Sequence, residues 1–126
     1  MLLCDTDVII EFLKGNDTVA STLRSIGLPN ISTSIITTME LYYGALNKIE
    51  LNRIKKAVGV LSQIKIDAQI SDYAVSLIEK YSKSHDLRIP DAFIAATAIV
   101  NNLHLFTFNL KDFQFISELS IYQPPR

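Results

Sequence analysis

The chain has 126 residues, 48% of them hydrophobic and 20% charged, with 12 Lys and Arg against 13 Asp and Glu. That is enough apolar material for one packed domain over 1–126 and too much for a disordered chain. A net charge of −1 supplies no bulk attraction to nucleic acid, the single cysteine excludes an internal disulfide, and no apolar run approaches the ~20 residues of a membrane span. The lone Cys4, without a basic segment leading a long apolar stretch, predicts a cytoplasmic protein.

In chain order, Leu2-Leu3-Cys4 reads as a short buried strand ending at Asp5. Asp7 suits the N-cap of a helix through Lys14, with Gly15 just past its end. Asp17 is placed to cap a second helix through Ser25, closed by Gly27. Ile31 to Ile35 has strand character, and Thr37 to Leu46 looks helical. Apolar residues at Ile54, Val58, Leu61 and Ile64 keep a helical period from about Leu51, and Ile64-Lys65-Ile66 suggests a short extended piece. Ile70, Ala74, Leu77, Ile78 and Tyr81 mark a further helix ending near Asp86. Ile89 precedes a proline and so belongs to a loop, while Pro90 opens a nearly all-apolar helix through Val100. His104 to Thr107 and Leu119 to Tyr122 are strand-like. Short apolar strands alternating with helices predict an α/β fold with a parallel sheet covered on both faces.

Four acids share one address in this pattern. Asp5 ends the first strand, Glu40 lies in the helix after the second, Asp91 opens the apolar helix, and Asp112 follows the strand at His104. Ligands of open α/β sheets sit outside the carboxyl ends of the strands. Each acid also has a structural reading. Asp5 and Asp112 suit turn caps, Glu40 stands at capping-box spacing from Thr37, and Asp91 favours a helix macrodipole. Taken together they are harder to explain that way, because two carboxylates ~4 Å apart repel by ~4 kcal/mol at an effective dielectric near 20. An all-oxygen donor set suits Mg²⁺ or Mn²⁺, and neither His85 nor His104 has a partner at zinc-like spacing. Lys48, Arg53, Lys55 and Lys56 form a basic group that reads either as a phosphate-contacting patch or as a solvated helix face.

The stretches "LLCDTDVIIEFLKG", "SIITTMELYYGA" and "IPDAFIAATAIVNNLHLFTFNLKDF", in this order and in a chain of this length, resemble the PIN-domain ribonucleases, specifically VapC-type toxins of bacterial toxin–antitoxin pairs. The resemblance spans residues 2 to about 122. It implies an α/β/α sandwich with a central parallel sheet and an acidic pocket for Mg²⁺ or Mn²⁺. Asp5 matches the acid of the family's "DTN" motif, Glu40 that of "T-x-x-E-L", Asp91 the acid before the apolar helix, and Asp112 that of "N-x-x-D-F". Thr6, Thr37 and Asn109 match the supporting positions. Asp7 stands where many members have Asn, and the helix cap remains its favoured reading. Whether Asp112 or Asn109 would contact metal stays open.

What the resemblance implies is metal-dependent hydrolysis of RNA phosphodiester bonds, with Asp5, Glu40, Asp91 and Asp112 as metal ligands. It also implies a cognate antitoxin and a homodimer, for which Tyr42 and Tyr43 are contact candidates. Two alternatives stand beside it. One is a haloacid-dehalogenase-like phosphatase using Asp5 as nucleophile, although Ile9 departs from that motif. The other is a catalytically inert binding module of the same fold.

Overall fold

In the computed structural model, which describes residues 1–125, four short parallel strands form the centre. They are β1 (Leu2–Cys4), β2 (Ile31–Ser34), β3 (Ser62–Ile64) and β4 (His104–Phe106), in the order β3-β2-β1-β4. The helices are α1 (Thr6–Leu13), α2 (Asp17–Ile26), α3 (Ile35–Tyr43), α4 (Lys48–Val58), α5 (Ala68–His85) and α6 (Ile89–Val100). Leu2 pairs with Ile31 on one side and with His104 on the other, so β1 lies at the middle of the sheet. Among the described residues no helix is long and apolar enough to cross a membrane.

Successive strand residues face opposite ways, and here they feed two cores. Leu3 and Leu105 pack with Leu77, Tyr81, Ile94 and Ala95 from α5 and α6. Leu2, Cys4, Ile31 and Phe106 pack on the other face with Val8, Leu23, Leu41 and Val58. The continuous apolar burial of β1 follows from helices covering both sides. Burial also pushes the Cys4 thiol up to about 12, with the Asp5 and Asp7 charges adding to the shift, so this cysteine is an unreactive core residue.

The α/β architecture is the one expected, and the boundaries differ at several places for local reasons. Asp5, not Asp7, caps α1, accepting from Thr6 N at 2.8 Å. Asn16, not Asp17, caps α2 through Val19 N. Ser34 caps α3, so Ile35 is helical, and Thr37 sits one turn inside rather than at a capping box. Asn47 starts α4 early and Gly59 ends it, which leaves Leu61 outside the helix and moves β3 to Ser62–Ile64. Ile89 is already helical because Arg88 is the N-cap and Pro90 occupies the tolerated first turn. The tail at Leu119 to Tyr122 contributes one parallel bridge, Leu105 to Ile121, rather than a full strand.

Candidate active site

The chain runs β1 to β2 to β3 in one direction and then crosses back to place β4 on the far side of β1. A crevice opens where such a sheet reverses its order, at the carboxyl ends of the strands. Asp5 leaves β1 there, with its backbone N–H donating to Phe106 O of β4 at 2.9 Å. Thr107, the next residue after β4, is buried and donates its hydroxyl to Asp5 Oδ2 at 2.8 Å. Both carboxylate oxygens of Asp5 are thus held, Oδ1 by Thr6 N and Oδ2 by Thr107.

The second motif reaches the same place through hydroxyls. Thr6 Oγ1 donates to Glu40 Oε1 at 2.7 Å and lies 3.0 Å from the buried Thr37 Oγ1. A threonine at the start of α1 therefore orients a glutamate of α3, one exposed turn beyond Thr37. Asp7 is neither a cap nor idle. Its Oδ2 accepts from Phe108 N at 3.0 Å, tying α1 to the loop after β4, while its Oδ1 is buried without a hydrogen-bond partner.

The acids feel one another's charge. Burial raises the Asp5 pKa to about 7, with the Asp7 charge next in weight and Asp91 also raising it, against hydrogen bonds from Thr107 and Thr6. Asp91, half-buried at the start of α6, is raised to about 6 by burial and then by Asp112 and Glu40, with Arg88 opposing. Asp7 is raised by burial. Asp5, Asp7, Glu40, Asp91 and Asp112 thus share one field. Among the described residues no three of them are already grouped tightly enough to hold a metal ion.

The donor set nonetheless fits a hard divalent cation. Every member is a carboxylate, one buried oxygen is orphaned, and the ion pairs among the described residues, Lys80–Glu118 and Arg88–Asp86, engage none of the five acids. Asn109 contributes its backbone, donating N–H to Thr107 Oγ1 at 3.0 Å. Thr107 is the site residue that sequence reasoning missed. Its signal was present in "LFTFN", a hydroxyl at the end of an apolar strand, where a core residue would be expected.

Comparison with known proteins agrees with this architecture. The PIN domain family model matches residues 2–118. Ribonuclease VapC10 of Mycobacterium tuberculosis is 28% identical over 99% of this chain and 92% of its own length. A toxin–antitoxin complex from Klebsiella pneumoniae contains a chain 30% identical with a TM-score of 0.82, covering 99% of this chain and 98% of that one. VapBC2 from Rickettsia felis, solved bound to a promoter DNA fragment, gives 25% identity and a TM-score of 0.84 over 96% of both chains. With its acids at the carboxyl ends of a β3-β2-β1-β4 sheet and the family's pattern matched over nearly its whole length, the chain belongs to the PIN domain family.

Proposed function

We propose that the protein is a divalent-metal-dependent endoribonuclease acting as the toxin of a toxin–antitoxin pair. The observation that carries the reading is the carboxylate cluster at the sheet's switch point, where burial and neighbouring carboxylates raise Asp5 to about 7 and Asp91 to about 6 even though Arg88 opposes the shift at Asp91. Holding the buried Asp5 beside further carboxylates is costly, and a bound cation would offset that cost. The family match removes the dehalogenase-like phosphatase reading.

Asp5, Glu40, Asp91 and Asp112 are the residues that would hold Mg²⁺ or Mn²⁺. Such an ion, when bound, acidifies a water and offsets charge on the phosphate oxygens. The chain's own contribution is positioning. Thr107 and Thr6 N fix the Asp5 carboxylate, and the Thr6 hydroxyl aims Glu40, as outer partners of a metal site do. Asp7 anchors the loop that carries Thr107 and Asn109.

Two surfaces beside Glu40 suit protein partners. A cavity of about 400 Å³ is lined by Ile10, Leu13, Leu41 and Ile54 together with the charged Lys14, Arg53, Glu40 and Glu50, a mixture that fits an amphipathic antitoxin segment. Ile36, Met39, Tyr43 and Pro90 form an exposed apolar patch suited to a second copy of the chain. Tyr43 is 94% exposed, whereas Tyr42 packs against the core. The proposed antitoxin is supported by neighbours solved as toxin–antitoxin complexes.

The test is incubation of total cellular RNA with antitoxin-free protein, with and without Mg²⁺ or Mn²⁺, beside Asp5→Asn. Discrete cuts that need metal and vanish in the variant are expected. Intact RNA under every metal, from folded protein, would leave the inert binding module.

A further inference from the structure

The cleft beyond Asp91 contains two side chains, His85 and Arg88, that are not among the carboxylates proposed to hold the metal. It is a cavity of about 390 Å³ bounded by His85, Asp86, Leu87, Arg88, Asp91 and Asp112, within the ~300–1,000 Å³ typical of ligand sites. Two of its walls are site acids, and the rest is the turn between α5 and α6. Asp86 makes that turn in the left-handed region at φ 55°. As a result the last residue of α5, His85, and the N-cap of α6, Arg88, line one cavity.

The imidazole of His85 is held flat. It stacks on Phe115 with ring centroids 4.4 Å apart and planes at 9°, and Tyr81 meets its edge at 5.9 Å and 71°. Tyr81 is itself fixed by donating to Glu118 Oε1 at 2.8 Å and by an edge contact to Phe115. His85 nevertheless remains exposed. A rigid aromatic stack that ends in an exposed ring beside a nuclease site has the form of a stacking platform for an unpaired base.

Arg88 opposes the shift at Asp91 but is otherwise loosely held. It caps α6 without a side-chain hydrogen bond. Among the described residues its ion-pair partner is Asp86 at 3.6 Å, with the two side chains 77% and 84% exposed, an arrangement that contributes little to stability. An RNA strand brings one phosphate per nucleotide toward five carboxylates, so the flanking phosphates need a cation of their own. Guanidinium meets that need with paired donors.

We propose that this cleft is the substrate subsite next to the scissile phosphate, with His85 stacking on the neighbouring nucleobase and Arg88 holding that nucleotide's phosphate. The assignment rests on the ribonuclease reading above, and two measurements keep the two apart. The first is an NMR titration of the wild-type chain with AMP and with UMP in Mg²⁺, following the His85 ring and Arg88 Nε–H signals. These nucleotides contain no phosphodiester, so the readout is independent of cleavage. Shifts at both residues are expected, with inorganic phosphate moving Arg88 alone. The second is steady-state cleavage of single-stranded RNA. Arg88→Gln and His85→Ala should each raise KM about tenfold while kcat stays nearly constant. His85→Phe should recover most of that loss, and Arg88→Lys, which keeps the charge without the paired donors, only part of it. A merely structural role would not produce this pattern.

Nucleotide-induced shifts in a protein that cuts no RNA would overturn the ribonuclease reading, and with it the scissile-phosphate assignment, and leave the cleft as a nucleotide-binding site. Cleavage with KM unmoved in both truncations, or with kcat lost in place of KM, would overturn the subsite and leave the ribonuclease. Absence of both shifts and cleavage would overturn both.

Discussion

Thr107 and Asp5 lie 102 positions apart in the chain, and the hydroxyl of one donates to Oδ2 of the other at 2.8 Å. The bond ties the ends of β4 and β1 together at the point where the sheet reverses. It also favours the charged form of a carboxylate that burial pushes the other way. Replacing Thr107 with Val keeps the shape and removes the donor. We expect a loss of about 1–3 kcal/mol in urea unfolding, a further rise in the Asp5 pKa, and weaker metal-dependent cleavage. Thr107→Ser should restore cleavage, and a valine variant as active as wild type would show that this bond does not position Asp5.

Asp5→Asn separates the two roles of this residue. Asn remains a good N-cap for α1, so the helix start survives. The change removes a buried charge that Asp7 and Asp91 repel. The metal-free variant should therefore unfold at a higher temperature than wild type. Its cleavage should fall by more than the ~10–100-fold typical of losing an outer partner of a metal site. Calorimetry beside an RNA gel checks both halves.

The raised acids predict a stability that declines with pH. Asp5 at about 7 and Asp91 at about 6 lie above the ordinary 3.8, so the folded state binds more protons than the unfolded one between these values. Their contribution is fully present below about pH 4 and is lost as pH rises through 6 to 7. Chelator-treated protein should thus be more stable at pH 5 than at pH 8, by up to about 2.6 kcal/mol for Asp5, since about two pH units of its shift fall within that window. Half-exposed Asp91 adds less. Urea midpoints in EDTA across this range test the slope, which should flatten in Asp5→Asn. A midpoint that rises with pH contradicts the assignment.

Asp7→Asn asks whether the orphaned Oδ1 belongs to the chemistry. An Asn carbonyl can still accept from Phe108 N, as Asp7 Oδ2 does, so the loop after β4 should stay anchored. Loss of its charge removes the second-ranked cause of the Asp5 shift, and the Asp5 pKa should fall. We expect stability to hold or rise by up to about 1 kcal/mol, with cleavage kept within about tenfold of wild type. A loss as deep as that of Asp5→Asn would make Asp7 a direct ligand.

Much of the architecture was legible in linear order because its signals are local. Three apolar residues before Asp5, the i, i+4, i+7 spacing of Ile70, Ala74 and Leu77, and Pro90 opening an apolar helix each act within a few residues. The motif acids, too, could be named from their stretches. Which neighbour caps a helix was decided by geometry at the level of single bonds. Asp5 displaced Asp7 at α1, and Asn16 displaced Asp17 at α2, because either carboxyl or amide suits a cap and backbone direction chooses between them. The sharing of one field by Asp5, Glu40, Asp91 and Asp112, the hold of Thr107 on Asp5, and the placing of His85 and Arg88 around one cavity depend on β4 crossing to the far side of β1 and on the left-handed turn at Asp86. These are contacts between residues remote in the chain or brought round by one dihedral angle, and pattern along a sequence carries no distance across a sheet.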